Sequence, residues 1–187
     1  MKKKVIILAA LLPFCLNAAA PEDGRSRMPK ARLAKTLGTS VADLQGYPNF
    51  EIVYGSLNLS NKGLTSLHGL EEIPGIEGVH SLDLQNNQLS SLEGMPELSL
   101  YLLELQNNQL SNLEGMPKLP KLLYLYLQNN QISSLEGMPK LPQLEKLNLN
   151  DNQISSLEGV PKLPKLLDLY LSNNQISSLE GMPELPQ

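Results

Sequence analysis

The side chains that could do chemistry in this chain recur at fixed intervals. Glu93, Glu114, Glu136, Glu158 and Glu180 stand 21 or 22 residues apart. Carboxylates in a row suggest cation binding, but a calcium shell needs several oxygens converging from one loop. No such loop is visible, and Lys118, Lys140 and Lys162 follow three of the glutamates by four residues. A screened, solvated edge is therefore the favoured reading, with no metal site. Catalysis has little to stand on. The histidines are His68 and His80, without a nucleophile motif, a phosphate loop, H-E-x-x-H or C-x-x-C. The chain reads as a non-enzyme with no cofactor.

A second group of side chains suits recognition better. Tyr124 and Tyr126 are two residues apart, as Leu102 and Glu104 are before them; Lys146 and then Asp168 and Tyr170 hold the matching places later. Tyrosine is a frequent anchor at protein interfaces. Leu102, Glu104, Tyr124, Tyr126, Lys146, Asp168 and Tyr170 are the candidate partner-binding residues, with Asp83 adding to the acidic side. The competing reading is that tyrosine simply suits strands and stacks on its neighbours.

Those positions belong to a repeat. Leu122, Leu125, Leu127, Asn130, Ile132 and Leu135 recur 22 residues on at Leu144, Leu147, Leu149, Asn152, Ile154 and Leu157. They recur again at Leu166, Leu169, Leu171, Asn174, Ile176 and Leu179, and earlier at Leu100, Leu103, Leu105, Asn108, Leu110 and Leu113. Val79, Leu82, Leu84, Asn87, Leu89 and Leu92 make a further copy. A degenerate first copy uses Tyr54, Leu57, Leu59, Leu64 and Leu67, with Lys62 in the Asn slot. Amphipathic helices are excluded because every unit ends in Gly and one or two prolines, and Pro inside a helix costs about 3 kcal/mol.

The alternation L-x-L predicts a short strand, with Leu125 and Leu127 inward and Tyr124, Tyr126 and Gln128 outward. Asn130 falls where the chain turns away, and its amide can satisfy backbone groups of its own and the neighbouring turn. Asn87, Asn108, Asn130, Asn152 and Asn174 are thus a structural ladder. The return path, Ser133 to Pro142, predicts 3₁₀ or extended backbone with Ile132, Leu135, Met138 and Leu141 packed inward. One unit cannot bury its own core, so stability must come from stacking.

Stacked units place the outward positions in columns. The first is Ser56, Ser81, Leu102, Tyr124, Lys146, Asp168; the middle is Asn58, Asp83, Glu104, Tyr126, Asn148, Tyr170; the third is Ser60, Gln85, Gln106, Gln128, Asn150, Ser172. At about 4.8 Å per strand a column spans roughly 24 Å, a length suited to a protein or peptide.

The pattern L-x-x-L-x-L-x-x-N-x-L/I-x-x-L is that of leucine-rich repeats. Units such as Asn130-Gln131-Ile132-Ser133-Ser134-Leu135-Glu136-Gly137 resemble the short-repeat subfamily shared by bacterial internalins and the phosphatase-one regulatory subunit. The resemblance is close over 79–187 and loose over 54–78. It implies an α/β fold, a right-handed solenoid or horseshoe whose parallel strands line a concave face that binds another protein. The double-proline return departs from those families, where a short helix is more usual on the convex side.

Residues 1–20 read as a cleaved signal peptide: Lys2-Lys3-Lys4, an apolar run from Val5 to Leu12, then Ala18-Ala19-Ala20. Cys15 raises a lipoprotein alternative, against which Phe14 stands where a small residue is wanted. Residues 21–53 form an arm and cap. Leu33, Leu37, Val41 and Leu44 predict an amphipathic helix within 28–46, weakened at Gly38. Arg25 to Lys35 carries five basic and no acidic residues, read as the solvated face of that cap or, more sharply, as contact with an anionic surface. Residues 54–187 form the repeat domain, about six units.

The formal charge is −4; without Lys2, Lys3 and Lys4 the chain keeps 12 basic and 19 acidic residues, or −7. That balance excludes a general nucleic-acid binder. The expectation is a secreted, periplasmic or cell-surface protein that binds another protein, with no membrane span after the leader. Self-association through an uncapped C-terminal end is a further expectation. The alternatives are a regulatory scaffold like the phosphatase subunit and an envelope- or carbohydrate-binding structural protein.

Overall fold

A computed structural model of the chain describes residues 27–28 and 50–182. The expected leader lies outside the described residues, as do the expected cap span from Pro29 to Gly46 and most of the basic segment. Met28, where that helix was expected to begin, sits in a short strand instead.

Eight strands form one sheet in chain order: β1 (Arg27–Met28), β2 (Phe50–Val53), β3 (Ser56–Asn58), β4 (Ser81–Asp83), β5 (Leu102–Glu104), β6 (Tyr124–Tyr126), β7 (Lys146–Asn148) and β8 (Asp168–Tyr170). β1 and β2 pair antiparallel, as do β2 and β3, and from β3 onward every pairing is parallel. The parallel part is a solenoid of about five turns that joins the six strands β3 to β8. The sheet is built from inward leucines: Leu57, Leu82, Leu103, Leu125 and Leu147 form one fully buried row, and Leu59, Leu84, Leu105, Leu127 and Leu149 the next. Each fully buried leucine contributes about 2 kcal/mol relative to an exposed one.

The hairpin β2–β3 was not foreseen, and it corrects the alignment of the first unit. Tyr54, expected in an inward leucine slot, is 75% exposed. Tyr54 and Gly55 are the two turn residues between Val53 and Ser56, with φ of 50° and 72°. Two consecutive positive φ values make the primed turn whose twist matches that of paired antiparallel strands. Phe50-Glu51-Ile52-Val53 has the β-branched and aromatic composition of a strand, and it closes the first edge of the parallel sheet.

The chain leaves each strand by a left-handed residue. Asn61, Asn86, Asn107, Asn129, Asp151 and Asn173 all have φ between 54° and 58°. Asn and Asp tolerate this region better than other non-glycine residues, which explains the first member of each Asn-Asn or Asp-Asn pair. The second member turns inward and is buried at Asn87, Asn108, Asn130 and Asn152. The return path is made of turns. Met95 N–H donates to the Leu92 carbonyl at 3.1 Å, with Gly94 at φ 85° between them. The same turn recurs from Leu113 to Met116, Leu135 to Met138 and Leu157 to Val160. Short 3₁₀ helices occur at Leu70–Glu72 and Ile76–Gly78. In the last described turn, Leu169, Leu171 and Ile176 are less covered than their counterparts, and Leu179 is 66% exposed.

Candidate functional site

Two sets of side chains arise from the strand geometry: one closes the backbone, the other faces out. The inward amides come first because they fix the spacing of everything else. Asn130 Nδ2 donates to the carbonyl of Leu127 in its own turn and of Leu105 in the preceding turn, both at 3.0 Å. Its Oδ1 accepts from Leu110 N–H at 3.0 Å. Asn87, Asn108, Asn152 and Asn174 repeat the pattern with the equivalent leucine carbonyls and the N–H groups of Leu64, Leu89, Ile132 and Ile154. Each amide oxygen satisfies a backbone N–H, while the carbonyls of Leu84, Leu105, Leu127 and Leu149 each accept from two successive asparagines, so the amides interlock.

With the turns locked in register, the outward columns line up. Leu102 pairs with Tyr124, Tyr124 with Lys146, and Lys146 with Asp168; Asp83 pairs with Glu104, Glu104 with Tyr126, Tyr126 with Asn148, and Asn148 with Tyr170. Tyr124 and Asp168 are exposed; Leu102, Glu104, Tyr126, Lys146 and Tyr170 are half-buried. Lys146 Nζ lies 5.0 Å from the centre of the Tyr170 ring and 5.8 Å from that of Tyr126, so the ammonium is held between two aromatic faces. All seven candidate residues therefore share one face over four adjacent strands.

The electrostatics of that face are uneven. Asp83 is only 8% exposed. Its carboxylate accepts from Asn58 Nδ2 at 3.0 Å, Gln85 N–H at 3.0 Å and Gln85 Nε2 at 3.1 Å, all neutral donors. Burial and then the neighbouring Asp83 charge push the Glu104 carboxyl above the usual range, against a hydrogen bond from Gln106. Burial also raises the Tyr126 phenol, opposed by Lys146. In the third column Gln106 Nε2 donates to Gln85 Oε1 at 3.1 Å, while Gln106 Oε1 and Gln128 Oε1 are covered without a partner. The row of amides thus does not close between β5 and β6.

The glutamate row takes a different position. Glu93, Glu114, Glu136, Glu158 and Glu180 are all exposed, beside the return-path glycines. Among the described residues no three His, Cys, Asp or Glu side chains gather closely enough to hold a metal ion, and no helix is long and apolar enough to cross a membrane.

One further column escaped the sequence reading. His80, Tyr101, Leu123, Glu145 and Leu167 occupy the position just before the first outward residue. Their backbones are laced by Tyr101 N–H to His80 O at 2.7 Å, Leu123 N–H to Tyr101 O at 3.0 Å, Glu145 N–H to Leu123 O at 2.9 Å and Leu167 N–H to Glu145 O at 2.8 Å. Tyr101 stacks tilted on His80 at 5.4 Å, and Leu167 is 75% exposed. These residues extend the variable face by one column along its leading edge. The available signal was their identity, which varies from unit to unit as the outward positions do.

The family model described as leucine-rich repeats in two copies matches residues 98–140 and again 142–185. Among solved structures, internalin C2 of Listeria monocytogenes aligns over 86% of this chain and 97% of that chain, at 21% identity and a TM-score of 0.39. No curated protein matches.

Proposed function

Since this chain is a leucine-rich-repeat protein, we propose that it is an exported protein-binding module that takes its partner on the outward face of β4 to β8. The leader carries it out of the cytoplasm to a secreted, periplasmic or surface location, in a role of the effector or adhesion type. The observation that carries this reading is the contrast between the two sides of one sheet. Inward positions are almost uniformly leucine, whereas the outward ones differ from strand to strand and gather Tyr124, Tyr126, Tyr170, Leu102 and Lys146 together. Packing alone accounts for the first side and leaves the second unexplained. Aromatic side chains half-covered by their neighbours lose little rotamer freedom on binding, which is why they anchor interfaces.

Capture experiments test the reading. The full chain, immobilised, should retain a defined protein from envelope or host extracts, and Tyr126→Ala together with Tyr170→Ala should release it. Retention unchanged by both substitutions would exclude this face as the binding surface. Fractionation of the producing cell, with mass measurement of the mature chain, tests export.

A further inference from the structure

We propose that the partner delivers an arginine onto this face, its guanidinium pairing with Glu104 and lying against the ring of Tyr126. The inference rests on the preceding reading that the strand face binds a protein segment, and it specifies the chemistry of that segment.

Asp83 and Glu104 stand directly opposite each other on β4 and β5. Like charges in that relation destabilise a sheet. Asp83 is fixed by three neutral donors, so its charge is held in place and not neutralised. Among the described residues no Lys or Arg forms an ion pair with either carboxylate. Lys146 is two strands from Glu104, roughly 10 Å at normal strand spacing, and is engaged by the Tyr170 and Tyr126 rings. Among the described residues, therefore, a buried and a half-buried carboxylate face each other without an answering cation.

What surrounds the pair selects the kind of cation. Tyr126 is opposite Glu104 on the next strand, and Leu102 and Tyr124 flank it in the adjoining column. A hydrated metal ion gains nothing from rings and needs more oxygen ligands than two carboxylates supply. A guanidinium is planar, binds a carboxylate through two parallel hydrogen bonds, is weakly hydrated and stacks on aromatic rings. Carboxylate and ring are one strand spacing apart, which a single guanidinium can bridge. An ammonium, compact and strongly hydrated, uses only the charge.

The test is a displayed library of random linear peptides selected on the full chain, with Glu104→Gln and Tyr126→Ala as comparison baits whose folding is checked by thermal denaturation. Arginine-bearing peptides should enrich on the unmodified chain. For the best of them, made synthetically, exchanging the arginine for citrulline should weaken binding about tenfold, but less than about twofold on Glu104→Gln, as coupled charge pairs behave in double-mutant cycles. An equal loss on both baits would overturn the pairing. Enriched peptides that lack basic residues yet depend on Tyr126 would overturn the arginine and leave the strand-face reading standing. Absence of enrichment, or peptides indifferent to both substitutions, would overturn both.

Discussion

The side-chain amide of Asn130 donates to the carbonyl of Leu105 in the preceding turn at 3.0 Å, while Leu110 N–H of that turn donates to the Asn130 Oδ1 at 3.0 Å. One side chain therefore closes a donor and an acceptor of its neighbour as well as the Leu127 carbonyl of its own turn. Consecutive strands are held in register by a buried link that the strand hydrogen bonds alone do not provide.

Asn130→Ala should be among the most damaging single substitutions. It strands the Leu110 N–H, a buried unsatisfied group costing about 1–3 kcal/mol, and removes two further hydrogen bonds of about 1 kcal/mol each, although the Leu105 and Leu127 carbonyls keep Asn108 and Asn152 as donors. A loss of about 3 kcal/mol or more in urea denaturation is expected. Asn129→Ala, changing only the exposed left-handed residue beside it, should cost about 1–2 kcal/mol. Equal losses would show that burial of the amide is not what matters.

Two glycines with nearly the same backbone should respond differently to alanine. A Cβ on Gly115 would sit 2.7 Å from Glu93 N and 2.9 Å from Glu93 Cα, both rigid backbone. On Gly137 its nearest contact would be Glu114 Cγ at 3.6 Å, an ordinary distance. Both positions carry the positive-φ penalty of about 1–2 kcal/mol, so the difference between the variants isolates the clash. Gly115→Ala should have the lower melting temperature; the reverse order would contradict the packing of these two turns.

Glu104 should make the protein more stable in acid than its other carboxylates would predict. Its folded-state pKa is raised by burial and by Asp83. The folded state therefore holds this proton more tightly than the unfolded chain. That contribution is full below the ordinary glutamate range and disappears as pH rises through the higher folded value. Glu104→Gln should thus stabilise the protein at neutral pH, and its advantage should shrink on acidification. Melting curves of both forms across that range check the sign, and an advantage that grew in acid would refute it.

Tyr126→Ala and Tyr170→Ala should leave the fold standing, because the leucine rows beneath them are buried independently. Each removes one of the two rings around Lys146. Interface anchors of this kind cost about 2 kcal/mol or more when truncated, so binding of the captured partner should fall by more than about tenfold. Titration calorimetry alongside melting curves separates loss of binding from loss of folding.

Much of this was legible from spacing. The columns counted off from the repeat are the columns of the paired strands, from Ser56–Ser81 to Asn148–Tyr170. The first unit was misread because Tyr54-Gly55 does not resemble the usual Asn-Gly or Asp-Gly of a two-residue hairpin. Its tyrosine also matched a leucine slot in hydrophobicity.

By itself the sequence determined which residues are neighbours. From β4 onward a strand, a left-handed turn and a return of nearly constant length bring each position beside its counterpart 21 or 22 residues away, and β3 meets β4 at 25, so a local pattern states a long-range contact. Only the tertiary structure decided how those neighbours meet. It placed Lys146 between two rings, left Asp83 and Glu104 facing each other without a cation among the described residues, and left the glutamate row exposed. The reason is that spacing sets where a Cα lies. Side-chain direction, desolvation and charge pairing depend on what stands across the gap, and that differs at every turn.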